Sequence, residues 1–84
     1  MSIEIFFTKS SIKELSSIDK ESAILIKEKI LKLSDNPKPQ GFKKLRGRDG
    51  YRIRVGNYRI IYETDFSKYI TILHIGHRKD VYKG

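Results

Sequence analysis

Residues 50–63 read GYRIRVGNYRIIYE, two alternating apolar runs separated by Gly56-Asn57. A two-residue link of this composition between runs of period two specifies a β-hairpin and pins its register. With that turn, Val55 faces Tyr58, Arg54 faces Arg59, Ile53 faces Ile60 and Arg52 faces Ile61. Alternation assigns Tyr51, Ile53, Val55, Tyr58, Ile60 and Tyr62 to one face and Arg52, Arg54 and Arg59 to the other. One side of the hairpin therefore has to be covered by the rest of the chain, and the other carries like charges opposite each other, a destabilising arrangement worth up to about 1 kcal/mol.

The remaining segments supply the cover. Ser2 to Phe7 alternates as a strand. Thr8 caps a short helix over Lys9 to Ser17, and Asp19 caps a longer one to Leu33, with Ala23, Ile26, Ile30 and Leu33 on one stripe. Asn36, Pro37 and Pro39 end it. Gln40 to Gly50 reads as a long loop carrying Lys43, Lys44, Arg46 and Arg48, pinned by Phe42 and Leu45. After TDFSK, Tyr69 to Ile75 is apolar on both faces and reads as an interior strand. The expected fold is α+β in the order β-α-α-β-β-β, a helical hairpin covering one face of a mainly antiparallel sheet. At 84 residues this is a single domain spanning 1–84, too small for a deep enclosed pocket.

Charge is distributed unevenly. Residues 1–40 hold seven Lys, no Arg and six acids, net +1, whereas residues 41–84 hold five Lys, six Arg and four acids, net +7. A partner of negative charge is expected, on the second half. Cysteine is absent, which excludes a disulfide scaffold, a thiolate nucleophile and a cysteine metal site, and no His/Asp/Glu grouping has metal-ligand spacing. The opening MSIEIFF carries an acid in its apolar run, and no run approaches a membrane span. The expectation is a cytoplasmic protein with no membrane, metal or cofactor.

Each arginine of the hairpin alone reads as a solvated residue on an open face, with Glu63 or Asp65 partly neutralising it. Three together, in a chain whose first half uses only lysine, read as a phosphate-binding surface, because the guanidinium fork engages phosphate through two donors at once. The tail GHRKDVYKG adds His77, Arg78 and Tyr82: an imidazole for proton transfer, a cation and a ring on which a base can stack. His74, on an apolar strand, reads as structural.

The segments KKLRG, YRIRVGNYRIIYE and HIGHRKDVY resemble the RelE branch of the RelE/ParE toxins of toxin-antitoxin systems, and the likeness runs the length of the chain. The resemblance implies a RelE-like, microbial-RNase-like fold and an endoribonuclease, an mRNA interferase that cuts messenger in the ribosomal A site and is held inactive by a RelB-like antitoxin. By position it implies that Arg52 and Arg54 match two basic residues of the active strand, Arg59 a contact to the scissile phosphate, Arg78 a tail arginine and Tyr82 a stacking tyrosine. Lys43, Lys44, Arg46 and Arg48 are expected to bind RNA. The implied chemistry is metal-free transesterification by the 2′-hydroxyl. Family members with lysines at the Arg52 and Arg54 positions have a group that can lose a proton, which arginine cannot do, so His77 is the expected proton-transfer group here. Two other readings stand beside this one: a ParE-like gyrase inhibitor, and a non-catalytic RNA- or ribosome-binding module.

Overall fold

The computed structural model describes residues 3–47 and 49–77. Its helices begin where capping side chains satisfy first-turn amides: Thr8 Oγ1 accepts from the Ser11 N–H and Asp19 Oδ2 from the Ser22 N–H, both at 3.0 Å. These caps open α1 (Lys9–Ser16) and α2 (Lys20–Leu33). The Ser22 bonds hold the Asp19 carboxyl below its usual range. Strand β1 (Glu4–Phe7) precedes the helices, and β2 (Lys43–Lys44), β3 (Tyr51–Val55), β4 (Tyr58–Thr64) and β5 (Tyr69–His77) follow them. The sheet order is β1-β5-β4-β3-β2, with β1 parallel to β5 and every other pairing antiparallel.

Ile26, Ile30 and Leu33 lie at i, i+4 and i+7 on α2 and are fully buried against Ile53, Ile60, Tyr62, Ile70, Ile72 and Ile75. Each buried aliphatic side chain contributes about 1.5–3 kcal/mol, so this single layer carries much of the fold. Tyr62 donates its hydroxyl to the Pro37 carbonyl at 2.8 Å, which ties the segment after α2 to the core. Burial pushes its phenol up to about 12.

The helix α1 completes an edge. Among the described residues no strand lies beside the outer side of β5 beyond Phe7, and side chains at the start of and within α1 take over: Thr8 Oγ1 donates to the Leu73 carbonyl at 3.0 Å and Glu14 Oε1 accepts from the Ile75 N–H at 3.0 Å.

Two features differ from the sequence expectation. The segment Gln40 to Gly50 is not wholly loop: Lys43 pairs with Arg52 and Lys44 with Tyr51, followed by a Leu45 N–H to Gly50 carbonyl bond of 3.0 Å. Gly50 makes this return possible, since its φ is +127° and a Cβ would meet the Tyr62 carbonyl oxygen at 3.3 Å. In addition, the register of β4 and β5 shifts between Ile61 and Tyr62, so Ile61 faces His74 while Tyr62 faces Ile72. Leu73 is the extra residue of a β-bulge.

Candidate nucleic-acid interface

The hairpin forms in the expected register, with Arg54 opposite Arg59. Gly56 has φ +58° while Asn57 keeps a negative φ, the pattern of a turn with glycine in its first central position. The turn bond makes Val55 and Tyr58 a hydrogen-bonded pair, so Arg54 and Arg59 form the next, non-hydrogen-bonded pair, in which side chains stand closer. For the same reason the N–H and C=O of Arg54 point away from β4, toward the edge that the two-residue β2 leaves uncovered.

The three arginines differ in environment. Arg54 is exposed, Arg52 half-buried, and Arg59 only 2% exposed. The open, solvated face expected for them is thus not what Arg59 occupies. It sits on a central strand next to Ile61, which is 4% exposed on the same side. A guanidinium withdrawn from water keeps its charge and interacts more strongly with any anion it meets than an exposed one.

Lys43 joins them. Its pairing with Arg52 puts it on the arginine face, and Gly41, Lys43, Arg52, Ile53, Arg54 and Arg59 line one cleft of about 320 Å³. Lys44 pairs with Tyr51 and falls on the opposite face. Arg46 is exposed in the bend after β2 and is not part of the cleft. Among the described residues of the basic segment, the structure brings Lys43 alone to the arginines. Arg48, Arg78 and Tyr82 lie outside the described residues.

His77 is placed on the other side of the sheet. It pairs with Tyr58, whose ring packs toward the core and whose hydroxyl lies 3.5 Å from Asp19 Oδ1, and the two rings meet edge to face at 5.9 Å. The bulge is the cause. Continuing the Thr64–Ile70 register without it puts His77 on the arginine face, and the single extra residue exchanges the faces of everything beyond it. The same shift brings His74, paired with Ile61, onto the arginine side. Its Nδ1 is 3.5 Å from Glu14 Oε1, at the α1 end of that face and outside the cleft. The spacing Ile70, Ile72, Ile75 is the sequence signal that marks the bulge, since buried positions skip from a step of two to a step of three.

Among the described residues no group of three His, Cys, Asp or Glu could hold a metal ion, and no helix is long and apolar enough to cross a membrane. Chemically, the cleft offers three guanidiniums and one amine converging on a space the size of a phosphodiester and its sugar.

Comparison with known proteins adds to this geometry. A sequence model of the family described as the ParE toxin of type II toxin-antitoxin systems, parDE, matches residues 5–82. No curated protein sequence matches the chain. Among solved structures, the toxin of the archaeal RelE-RelB complex from Pyrococcus horikoshii is 32% identical, with TM-score 0.80 over 93% of this chain and 97% of that one. The RelB-RelE antitoxin-toxin complex from Methanococcus jannaschii gives 30% identity and TM-score 0.73, covering 92% and 94% of the two chains. The isolated RelE toxin of E. coli, at 24% identity, shares the fold with TM-score 0.77 over 98% of this chain and 93% of its own.

Proposed function

This chain belongs to the ParE toxin family of type II toxin-antitoxin systems, within the RelE/ParE superfamily, and we propose that it is an endoribonuclease of the RelE kind that cuts messenger in the ribosomal A site. The observation that carries the reading is the cleft in which a desolvated Arg59 faces Arg54, with Arg52 and Lys43 beside them. Four cations converging on one small space serve a polyanion whose charge increases during reaction.

The reaction is an internal transesterification. The 2′-oxygen attacks the adjacent phosphorus, the bond from phosphorus to the 5′-oxygen breaks, and the products are a 2′,3′-cyclic phosphate and a 5′-hydroxyl end. One proton leaves the 2′-hydroxyl and one is delivered to the departing 5′-oxygen. Arg54 and Arg59 stabilise the non-bridging oxygens, where negative charge accumulates, and Arg52 holds the strand. Lys43 is the cleft's proton-transfer group, because an amine can release and regain a proton and a guanidinium cannot. His77, across the sheet, has no part in that step. Arg78 and Tyr82 complete the site by resemblance, as a further phosphate contact and a stacking ring. DNA lacks the attacking hydroxyl and is not a substrate.

The Pyrococcus horikoshii and Methanococcus jannaschii relatives named above were solved in complex with RelB, which supports a RelB-like antitoxin as the cognate partner of this chain. The family model's own name supports a second reading, a ParE-like gyrase inhibitor. Brief expression followed by parallel analysis of messenger and DNA separates the two. Fragmented messenger with intact chromosome is expected; intact messenger with broken DNA overturns the nuclease reading. Arg59→Ala with Arg78→Ala then tests catalysis against mere binding: a binding module loses affinity and its salt dependence becomes shallower, whereas a nuclease loses cutting.

A further inference from the structure

A second cleft, of about 400 Å³, lies across Arg54 from the first, and Gly41, Ile53 and Arg54 border both. Its floor is apolar, made by Leu33, Ile53 and Pro39. Lys29 and Lys32, from the last turns of α2, stand over it with Arg54. Asn36 and Gln40, which carry side-chain amides, also line it, and Asp35 is the one acid among its described lining residues. Asn36 Oδ1 accepts from the Lys38 N–H at 3.2 Å, which fixes the side-chain amide in a turn. Its volume falls in the range of small-ligand sites, about 300–1,000 Å³, as does the mix of an apolar floor with a few convergent polar groups.

We infer that this cleft is a nucleotide subsite: it receives the nucleotide next to the scissile phosphate held at Arg54 and Arg59, and favours a base with an exocyclic amino group. The inference rests on the ribonuclease reading for its neighbour and on its own lining for its ligand. Continuity comes first. Arg54 is shared, and its peptide group faces the open edge between the clefts, so a single strand crossing that edge meets both. Lys29 and Lys32 then meet the next phosphate. Single-stranded RNA is read by splaying out a base and bonding its edge. Amides of Asn and Gln match the donor and acceptor pattern of adenine, and a carboxylate accepts from an exocyclic amine. Uracil offers no such amine. Asp35 also distinguishes RNA from an acidic polypeptide, since its charge opposes a carboxylate there and serves an amino group.

The test uses the full chain, labelled for amide NMR, and tetranucleotides whose 2′-hydroxyls are replaced by fluorine so that no cleavage occurs. With the adenine tetramer, shifts are expected at Lys29, Lys32, Gln40 and Gly41 together with those of Arg52 to Arg59. Affinity for it should exceed that for the uracil tetramer by fivefold or more. Gln40→Ala and Asp35→Asn, both at exposed positions, should each reduce that preference while leaving the arginine-cleft shifts in place. Shifts confined to the arginine cleft, equal affinity for the two tetramers, or shifts produced only by a Glu/Asp-rich peptide overturn the subsite. Cutting on ribosomes is read separately. A chain that binds adenine RNA at both clefts and cuts nothing loses the nuclease reading and keeps the subsite; a chain that cuts with the subsite amides unmoved does the reverse.

Discussion

Replacing Arg54 by glutamine should make the protein more stable and less active, a pair of effects with opposite signs. Arg54 stands directly opposite Arg59 in a non-hydrogen-bonded pair, where Cβ atoms are about 4.5–5.5 Å apart. Two guanidiniums separated by about 7 Å repel by roughly 0.6 kcal/mol at the dielectric constant of water, about 80, and by roughly 2 kcal/mol at an effective value of about 20. The roughly 0.2–1 kcal/mol seen for cross-strand pairs overlaps the lower end of that range. Arg54 is exposed, so the change opens no cavity, and glutamine keeps most of the stem. A gain of about 0.5–1 kcal/mol corresponds to a melting temperature about 2–8 °C higher in a domain of this size. Because the gain is electrostatic it should fade in about 1 M salt, where the screening length is roughly 3 Å. Cutting should fall by about 10²–10³-fold, the usual cost of losing one preorganised donor to a charge-accumulating transition state. Thermal melts at low and high salt and a cleavage time course are sufficient. A lower melting temperature, or a gain indifferent to salt, refutes the strained-pair reasoning; undiminished cutting refutes the role of Arg54.

Lys43→Arg should keep RNA affinity within a few-fold while cutting drops about 10²–10⁴-fold, since the charge survives and the transferable proton does not; equal rates dismiss Lys43 as the proton-transfer group. His77→Ala should destabilise by about 1 kcal/mol through loss of its edge contact with Tyr58 and leave cutting near the wild-type rate, and a chain that stays folded yet loses cutting restores His77 to the mechanism. In alkaline titration, the Tyr62 phenol resists ionisation up to about 12 in the fold but ionises near 10 in the unfolded chain. Its contribution is therefore complete below pH 10 and lost as pH rises toward 12, so Tyr62→Phe, measured by denaturant melts across that range, should flatten the alkaline decline. Asp19 and Asp65 are held below the usual carboxylate range by backbone amides, of Ser22 and of Lys68 and Ser67 respectively. The α2 cap at Asp19 and the β4–β5 turn held by Asp65 should weaken as pH falls through those lowered values, and Asp65→Asn should blunt the acid limb of the same melts.

The hairpin was legible because one turn and a period of two determine it: five residue pairs follow from Gly56-Asn57 alone. The helices were legible from Thr8, Asp19 and the Ile26, Ile30, Leu33 stripe. What alternation could not convey was the bulge at Leu73, and there the two histidines exchanged faces. Tyr69 to Ile75 has apolar residues at both parities, so no single register announces itself, and the face of His77 follows from its partner across the ladder, Tyr58, rather than from its neighbour in sequence. The strand β2 was hidden for a different reason. Lys43 and Lys44 have little strand preference, and their pairing depends on the return at Gly50 and on Phe42 packing against Tyr51. Burial of Arg59 is a tertiary fact, set by its place on a central strand. Composition located the basic half of the chain; only the three-dimensional register put Lys43 on the arginine face and set Lys44 aside.

The most direct measurement is the mapping of messenger ends on translating ribosomes shortly after the protein is added, for the wild type and for Arg59→Ala. Cuts inside the A-site codon, bearing 2′,3′-cyclic phosphate and 5′-hydroxyl ends and missing with Arg59→Ala, are the expected result. Intact messenger with the wild type, or equal cutting by the variant, contradicts a nuclease built on the arginine cleft.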